Sequence, residues 1–545
     1  MVRSLLSLLA TRQNSILSGA SILMLTVFAS KFLGLIRNRL LFHNFDTATT
    51  DLFFGAFRLP DLLFQILIFG TLSVAFIPIF TSQLSRNGEK EAHTFASNIL
   101  NLSLFIFGVV TLIALLFTPF FNSLVLPGFS GERKIITDQL TRLILAAQLM
   151  MVVGAFFIAI GQAYQRFIIP ALAPLFYNLG IILGIAVLSK YFGIYGPAIG
   201  VVIGAFFHMA IQIPLIRSLG FKYQFAFDFA NPGVRSVYRL MSIRNIGLIA
   251  EQINETVLIA LASVISFSSV TLLTVAQQLF IVPIGLFGAT IAQAALPVLS
   301  QEKARDETAS FKITLLTTMH QILFLTLPAA AILIVLRIPV VRLIFGASQF
   351  NWTDTVLTGR TVAFLSLGLA AQSVILLLVR AFYALGDTKT PVIVSVLTVL
   401  MNIILSIFFV HYLKLDVWSL GLSYAVAANT SLILLLIYLQ KKLGGFNFHQ
   451  FFEPALKMLV AASTAAVALY IPIKALDQLV FDTTRTVNLI ILTGIASIFG
   501  LGIYILLVWL MQVKELDTFT QLFKKAARMQ TKVKTQEMIE ETGSV

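Results

Sequence analysis

The side chains in this sequence that are best suited to chemistry are a few charged groups set within long apolar stretches. Lys31 and Arg37 lie in the first such stretch. Asp51, Arg58 and Gln65 follow at intervals of seven residues, which places them along one face of a helix. Side chains of this kind bind anionic and polar groups through charge-assisted hydrogen bonds. They predict a polar, water-filled cavity within a membrane.

A second set of polar side chains lies in the middle of the chain. Glu251 and Glu255 are four residues apart, and Gln278 follows in the next apolar stretch. A charge in hydrocarbon is costly unless it faces water or a partner. We interpret these three residues as candidates for cavity lining or ion coupling. The alternative is that the charges form buried ion pairs that fix helix register, such as Asp51 with Arg58 or Glu251 with Lys31.

Enzymatic chemistry has no signature in the sequence. The chain contains no cysteine, and its six histidines are scattered without metal-ligand spacing. No nucleotide-binding loop, nucleophile elbow or metalloprotease motif is found. We therefore expect a transporter and no catalytic residue, metal or cofactor.

The composition requires a membrane. Of the 545 residues, 58% are hydrophobic and 11% are charged, whereas soluble domains carry about 25% charged residues. The mean hydropathy is +0.93. Apolar stretches of spanning length recur along the chain. They predict an all-α integral membrane protein with about fourteen transmembrane helices, at 16–38, 52–83, 97–118, 142–162, 168–188, 196–216, 245–263, 271–299, 313–336, 361–379, 390–410, 417–440, 458–473 and 488–512.

The net charge of +14 is distributed as a topology signal. With both termini inside, the cytoplasmic segments hold 24 Lys and Arg, the external loops hold 10, and the spans hold four. Cytoplasmic loops are enriched in basic residues. The bias predicts a multi-pass membrane protein with both termini in the cytoplasm. The positive charge therefore does not indicate a nucleic-acid partner.

An internal repeat suggests how the spans are organised. Residues 75–78 (AFIP) resemble residues 294–297 (AALP), 219 positions later, and Pro170 and Pro391 occupy similar loops 221 positions apart. Such offsets predict two pseudo-repeated six-helix halves. We expect the organisation to be an N-terminal half 1–218, an amphipathic cytoplasmic linker 219–244, a C-terminal half 245–440, two further helices in 441–512, and a cytoplasmic tail 513–545.

Several motifs of the chain resemble those of the MurJ (MviN) lipid II flippase family of the MOP exporter superfamily. They occur in register from about residue 20 to about residue 440. The matching runs are 30–37 (SKFLGLIR), 50–61 (TDLFFGAFRLPD), 126–129 (LPGF), 165–167 (QRF), 170–174 (PALAP), 283–288 (PIGLFG), 345–346 (FG) with Phe350 and Asp354, and 382–391 (FYALGDTKTP).

The resemblance implies a function. It implies a flippase that translocates lipid II, the undecaprenyl-diphosphate-linked peptidoglycan precursor, by alternating access, with the last two helices forming a groove for the lipid tail. Its diphosphate-bearing substrate and membrane lipid would be the partners, with cell-wall synthesis proteins as further candidates, and a monomer is expected. The resemblance also implies a location in the bacterial cytoplasmic (inner) membrane. It carries over Lys31, Arg37 and Asp51 as substrate-binding charges, and to these we add Arg58 from this sequence.

The chain departs from the family at several charges. Family members usually carry a basic residue where this chain has Gln65 and an arginine where it has Gln278. Arg58, Glu251 and Glu255 are this sequence's own candidates. Two alternatives therefore stay open, an exporter of another lipid-linked oligosaccharide and a MATE-type cation-coupled drug antiporter. The membrane potential, sodium and protons are alternative driving forces.

Overall fold

The computed structural model of the chain describes residues 16–69, 75–445, 448–479 and 486–521, and regular structure there is helical throughout. Up to residue 265 the α-helices are α1 Ile16–Asn44, α2 Thr47–Phe64, α3 Ile77–Asn87, α4 Glu89–Leu116, α5 Thr118–Val125, α6 Gly131–Ala163, α7 Ile168–Leu183, α8 Ser189–Phe192, α9 Tyr195–Ala210, α10 Ile213–Ser218 and α11 Pro232–Ile265. After residue 265 the α-helices are α12 Ser269–Pro283, α13 Thr290–Ala304, α14 Thr308–Val335, α15 Arg337–Phe345, α16 Trp352–Ser366, α17 Leu369–Ala384, α18 Lys389–Ile407, α19 Trp418–Lys442, α20 Phe448–Leu479 and α21 Thr486–Leu510. Most of the predicted tail lies outside the described residues.

The expectation of an all-α membrane protein is confirmed. Ten helical segments of the described chain are long and apolar enough to span a bilayer, and a pair of helices bent by 43°, α16 with α17, makes an eleventh. The other three predicted spans coincide with α1, α2 and α11. The predicted count of fourteen is compatible with this arrangement. Those three helices carry all six charged candidates of the sequence.

The repeat is visible in the order of the helices. Helices α4 and α14 begin 219 residues apart, and α6 and α16 begin 221 residues apart. Even the irregularities recur, because π-helical segments at Gln65–Phe69 and Ile284–Ala289 also begin 219 residues apart. Each of these two segments follows a proline of the preceding helix, Pro60 in α2 and Pro283 in α12. The same helical plan is therefore used twice.

The chain forms two compact units. The first comprises residues 1–276, 344–361 and 395–423, and the second comprises 277–343, 362–394 and 424–545. In the second unit, a large apolar core joins α14, α17, α19 and α20, with Phe311, Leu377 and Met458 fully buried. In the first unit, α4 and α6 pack around Phe76, Ile99 and Phe156. All six charged candidates lie in the first unit, whereas Gln278 lies in the second.

The predicted linker 219–244 consists of an extended part and a helical part. Residues 221–231 have no regular helix or strand, and α11 begins at Pro232. The Asn231 side chain caps α11 by accepting hydrogen bonds from the backbone N–H groups of Gly233 and Val234. From there, α11 runs without interruption past residue 244 to Ile265. The extended residues 221–231 lie against α4 through hydrogen bonds described below.

Candidate functional site

Arg58 connects two helices of the first unit. Its Nε donates to Thr256 Oγ1 at 3.0 Å, and its Nη2 donates to Gln252 Oε1 at 3.0 Å and to the Gln252 carbonyl oxygen at 2.6 Å. Nη2 also lies 2.8 Å from Thr256 Oγ1. Arg58 is in the third turn of α2, whereas both partners are in α11. Arg58, which we predicted to line a cavity, therefore also joins α2 of the first repeat to α11, the first helix of the second repeat.

Arg37 is held in place by a neighbouring amide. Its Nη1 donates to Asn178 Oδ1 at 3.2 Å, and its Nε donates to Asn38 Oδ1 at 3.1 Å. The Asn178 amide nitrogen in turn donates to the Pro174 carbonyl at 3.1 Å and to Ser30. Since a guanidinium has five N–H donors, these bonds orient Arg37 without using all of them.

A similar bond joins two helices further along the chain. Asn402 Nδ2 donates to Asn254 Oδ1 at 2.7 Å, which connects α18 to α11 as Asn178 and Ser30 connect α7 to α1. Glu255 follows Asn254 directly, just as Lys31 follows Ser30. Charges of opposite sign therefore stand next to these two helix contacts.

Asp61 is a member of this group that the sequence reasoning did not select. It interacts electrostatically with Arg58 and Arg37, and Arg58 also interacts with Glu255. Asp61 follows Arg58 by three residues on α2, and that spacing was the signal that could have identified it. We refer to Arg37, Arg58 and Asp61 as the arginine cluster.

Lys31 differs from the two arginines. It lies in the middle of α1 with an exposed side chain. Among the described residues, Lys31 has no hydrogen-bond or ion-pair partner. A charge at the middle of a spanning helix requires water or a counterion. The position therefore favours an aqueous space beside α1.

The remaining predicted site residues occupy different surroundings. Glu251 is exposed and Glu255 is partly buried, one turn apart on α11, and they interact electrostatically with each other. Gln278 lies on α12 and belongs to the second compact unit. Within the described parts of the chain, no three His, Cys, Asp or Glu residues are grouped so as to hold a metal ion.

Asp51 is fully engaged by protein groups. Its side chain is 0% exposed. Its Oδ1 accepts from the Thr271 backbone N–H at 2.7 Å, and its Oδ2 accepts from the Ser268 N–H at 2.9 Å and from Arg133 Nη2 at 3.2 Å. Ser268 and Thr271 form the start of α12, where unpaired N–H groups favour a carboxylate. Asp51 thus caps a helix of the other repeat.

The predicted ion pair between Asp51 and Arg58 is not formed. Asp51 pairs with Arg133, and Arg58 bonds to α11. The seven-residue spacing puts both on one face of α2, but it also separates them by two turns, or about 10 Å along the axis. Each therefore finds its partner on another helix.

Arg133 is held between two aromatic rings. Its guanidinium carbon lies 4.3 Å from the centre of the Phe129 ring and 4.4 Å from the centre of the Phe267 ring. Beside it, the Gly128 N–H donates to Ser263 Oγ at 3.0 Å. A Cβ at Gly128 would lie 1.8 Å from the Ser263 carbonyl oxygen, so only glycine permits this approach. The loop before α6 is thus pressed against the end of α11.

Equivalent residues of the two repeats meet at this point. Thr47 Oγ1 donates to Ser268 Oγ at 2.9 Å, and the Thr50 and Thr271 hydroxyls are 3.1 Å apart, each pair being separated by 221 positions. Thr47 Oγ1 also lies 2.9 Å from Asp354 Oδ2. We name the group of Thr47, Asp51, Arg133, Ser268 and Thr271 the Asp51 junction. These contacts hold the start of α2 against the start of α12.

The comparison with protein families decides the identity of this arrangement. The family profile described as "Lipid II flippase MurJ" matches residues 43–492, which run from the end of α1 to the start of α21 and include α2 and α11.

The chain belongs to the MurJ lipid II flippase family.

Relatives and solved structures agree with this assignment. The proteins named "Probable lipid II flippase MurJ" from Buchnera aphidicola subsp. Baizongia pistaciae and from Bdellovibrio bacteriovorus are each 26% identical to the chain. The first match covers 77% of this chain and 83% of the relative, and the second covers 90% and 95%.

A structure titled "Lipid II flippase MurJ, inward closed conformation" has a similar fold, with a TM-score of 0.74, 24% identity, and coverage of 88% of this chain and 98% of that one. An inward-facing MATE-family multidrug transporter of the MOP superfamily shares the fold at a TM-score of 0.65 and 16% identity, over 76% of this chain and 94% of its own. The similarity to the MATE transporter shows a shared fold and carries no information about substrate. The expected MurJ family membership is therefore confirmed, and the protein is a multi-pass inner-membrane transporter and not an enzyme.

Proposed function

We propose that the protein translocates lipid II across the inner membrane by alternating access, and that Lys31 and Arg37 bind the diphosphate of the substrate. Family membership supplies the substrate class. The observation that supports the site is the pair of basic side chains on α1, one exposed at mid-helix and the other oriented by Asn178 with donors to spare.

The chemistry requires such a pair. A diphosphate that enters a bilayer of about 30 Å of hydrocarbon loses its hydration, and an unpaired ion there is costly. Guanidinium and ammonium groups replace part of that hydration with charge-assisted hydrogen bonds. Arg37 presents a planar set of donors, whereas Lys31 is a flexible point charge that can follow the headgroup.

Arg58 has a supporting role in this proposal. Within the described part of the chain, its side chain donates hydrogen bonds to Gln252 and Thr256 of α11. If substrate takes over one of these bonds, α2 and α11 lose a connection, which would couple binding to movement of the repeats. Glu251 and Glu255, on the same helix, remain our candidates for ion coupling.

The Asp51 junction closes one end of the transport path in our proposal. Asp51, which the sequence suggested as a substrate contact, has this structural role instead, because its two carboxylate oxygens are already bonded to α12 and Arg133. Alternating access requires this junction to open when the opposite end closes. The π-helical segments that follow Pro60 and Pro283 are positions at which α2 and α12 can bend.

The orientation follows from the basic bias of the loops. We propose cytoplasmic termini, which places the Asp51 junction at the external side. Reporter fusions at Asn87 and Lys441 should read cytoplasmic, and a fusion at Gly131 should read external. Because one chain supplies the whole arginine cluster, we also propose that the monomer is the transporting unit.

The decisive experiment is a flipping assay with purified protein in liposomes and labelled lipid II. Lys31→Ala and Arg37→Ala should each reduce flipping about tenfold or more, since a hydrogen bond to a charged group contributes roughly 1.5–3 kcal/mol. Lys31→Arg should retain activity because it retains the charge. The exposed Arg142 is the matched control, and Arg142→Ala should behave as the parent.

Two outcomes would contradict this proposal. If both alanine variants flip lipid II at the parental rate, the diphosphate does not bind on α1. If the parent moves a labelled lipid-linked O-unit but not lipid II, the substrate is another lipid-linked oligosaccharide.

A further inference from the structure

The extended segment after α10 carries a regular pattern of aromatic residues. Phe221 and then Tyr223, Phe225, Phe227 and Phe229 occupy every second position. Successive side chains of an extended chain point in opposite directions. From residue 223 to residue 227 the exposure of the side chains alternates accordingly, because Gln224 and Ala226 are partly buried while Tyr223, Phe225 and Phe227 are exposed. Phe229 is exposed as well, and so are the charged side chains of Lys222 and Asp228 at the two ends. The segment therefore presents one aromatic face.

Side chains of α4 hold the backbone of this segment. Asn98 Oδ1 accepts from the Asp228 N–H and Asn98 Nδ2 donates to the Asp228 carbonyl, both at 2.8 Å. Asn101 Nδ2 donates to the Ala226 carbonyl at 2.9 Å, and Ser97 Oγ accepts from the Gln224 N–H at 3.1 Å. Backbone groups that leave water must be bonded. These bonds satisfy backbone groups at 224, 226 and 228 and hold the segment against α4, so that its aromatic side chains face outward.

The aromatic face continues the outer surface of a spanning helix. Phe227 packs edge-on against Phe105 of α4, with ring centres 5.3 Å apart, and Phe229 packs against Phe227. Beyond Phe105, the exposed side chains of α4 are Val109, Leu112, Ile113 and Leu116. This helix is long and apolar enough to span a bilayer, so we expect its exposed apolar stripe to face lipid. The aromatic residues extend that stripe toward the polar start of α4.

The surrounding charges are mostly positive. Arg217, Lys222 and Arg235 are exposed beside the segment, and Asp228 is the acidic residue within it. Aromatic side chains are enriched at the boundary between headgroups and acyl chains. Basic residues there are attracted to anionic headgroups. The order along the surface is therefore apolar, aromatic and basic, which is the order that a membrane interface presents.

We propose that residues 223–229 form an interfacial anchor, with Tyr223, Phe225, Phe227 and Phe229 inserted into the headgroup region of the leaflet at which α4 begins. The partner is a lipid surface that contains anionic headgroups. This inference does not depend on the identity of the transported substrate. It predicts that the aromatic face contacts lipid whether or not the protein is transporting.

The absence of cysteine from the chain makes the test direct. Single cysteines at Phe225, which is 84% exposed, and at Lys222 would each carry a nitroxide label, with the protein in nanodiscs of phosphatidylcholine and phosphatidylglycerol. Label collisions would be measured with oxygen, which concentrates in lipid, and with a water-soluble nickel complex. At position 225 the ratio of oxygen to nickel accessibility should be several-fold higher than at position 222.

Each result is informative. Equal nickel accessibility at the two positions would overturn the anchor. Protection of the 225 label from both reagents would also overturn it, in favour of a protein partner or a second copy. For the charge component, discs without phosphatidylglycerol should give a lower ratio at position 225, and an unchanged ratio would remove anionic lipid from the proposal. Melting temperatures in detergent would confirm that both labelled variants are folded.

Discussion

Asp51 and Arg58 lie on α2 only two turns apart, yet the Asp51 junction and the arginine cluster, to which they belong, use charge in opposite ways. Asp51 is fully buried, and both its oxygens are bonded to the protein. Arg58 is only partly buried, and Lys31 on the neighbouring helix is exposed without a described partner. A charge whose bonding capacity is filled holds helices together. A charge with unused capacity is available for substrate, so the two regions should respond differently to substitution.

The largest effect should come from Asp51→Asn. The amide keeps the size of the carboxylate but presents an N–H₂ group to donors, which leaves Arg133 and a backbone N–H without a full partner. Breaking a buried pair in this way costs about 3 kcal/mol. The junction should then open, and a cysteine at the buried Leu126 should react faster with a membrane-impermeant maleimide.

Asp46 supplies a matched control for that change. Its side chain also caps a helix, accepting from the Thr49 N–H at 2.8 Å, but it is exposed. Asp46→Asn should leave the reactivity at Leu126 near that of the parent. Equal reactivity in the Asp46 and Asp51 variants would show that burial does not distinguish the two sites.

Arg58→Ala should have the next largest effect, at roughly 2 kcal/mol, because it removes charged hydrogen bonds from a partly buried site. We expect it to lower both thermal stability and flipping, whereas Lys31→Ala lowers flipping alone. A double-mutant cycle with Thr256→Val would measure the coupling, expected at about 1 kcal/mol. A coupling near zero would mean that the α2–α11 bonds do not contribute to the folded state.

A smaller effect is expected from Arg133→Lys. The ammonium can still pair with Asp51, but it loses the flat stacking between Phe129 and Phe267. Cation–π contacts contribute about 0.5–2 kcal/mol according to their exposure, and Arg133 is 21% exposed. Maleimide labelling at Leu126 should therefore rise by less than in Asp51→Asn. Lys134→Ala, at the adjacent and partly buried position, is the control, because the Lys134 ammonium donates to Ser123 and not to Asp51.

Asp387 should give the smallest effect, although its bonding resembles that of Asp51. It accepts from the Thr390 N–H at the start of α18, and it pairs with Lys442 at 2.6 Å. Burial works against ionisation, but the hydrogen bonds from Lys442 and Thr390 outweigh it and lower the pKa of Asp387 to about 2. Because this pKa is below the unfolded value of about 3.9, the contribution exists above pH 4 and disappears as the pH falls toward 2.

Melting temperatures of Asp387→Asn and the parent would test this. The parent should be slightly more stable at pH 6, and the difference should shrink as the pH drops through 4. A difference that grows on acidification would contradict the assigned pairing.

Sequence reasoning predicted the fold and the helices of the site but not the partners within it. Hydropathy over some 20 residues identifies a spanning helix, because a bilayer imposes that length. Spacing likewise places Asp51 and Arg58 on one face of α2. The groups that bind Asp51, however, come from Arg133 and from Ser268 and Thr271, 217 and 220 positions away. Periodicity within one helix carries no information about such contacts. Asp61 is the exception, since its spacing from Arg58 was readable.

The meeting of Thr47 with Ser268 and of Thr50 with Thr271 has an evolutionary consequence. In a dimer of two identical six-helix chains, positions 133 and 354 would hold the same residue, because they too are 221 positions apart. In a single chain each copy can differ, and here one position is Arg133, which pairs with Asp51, and the other is Asp354, which contacts Thr47. Carrying both copies in one chain thus permits an asymmetry of charge that a dimer of identical chains has no means to encode.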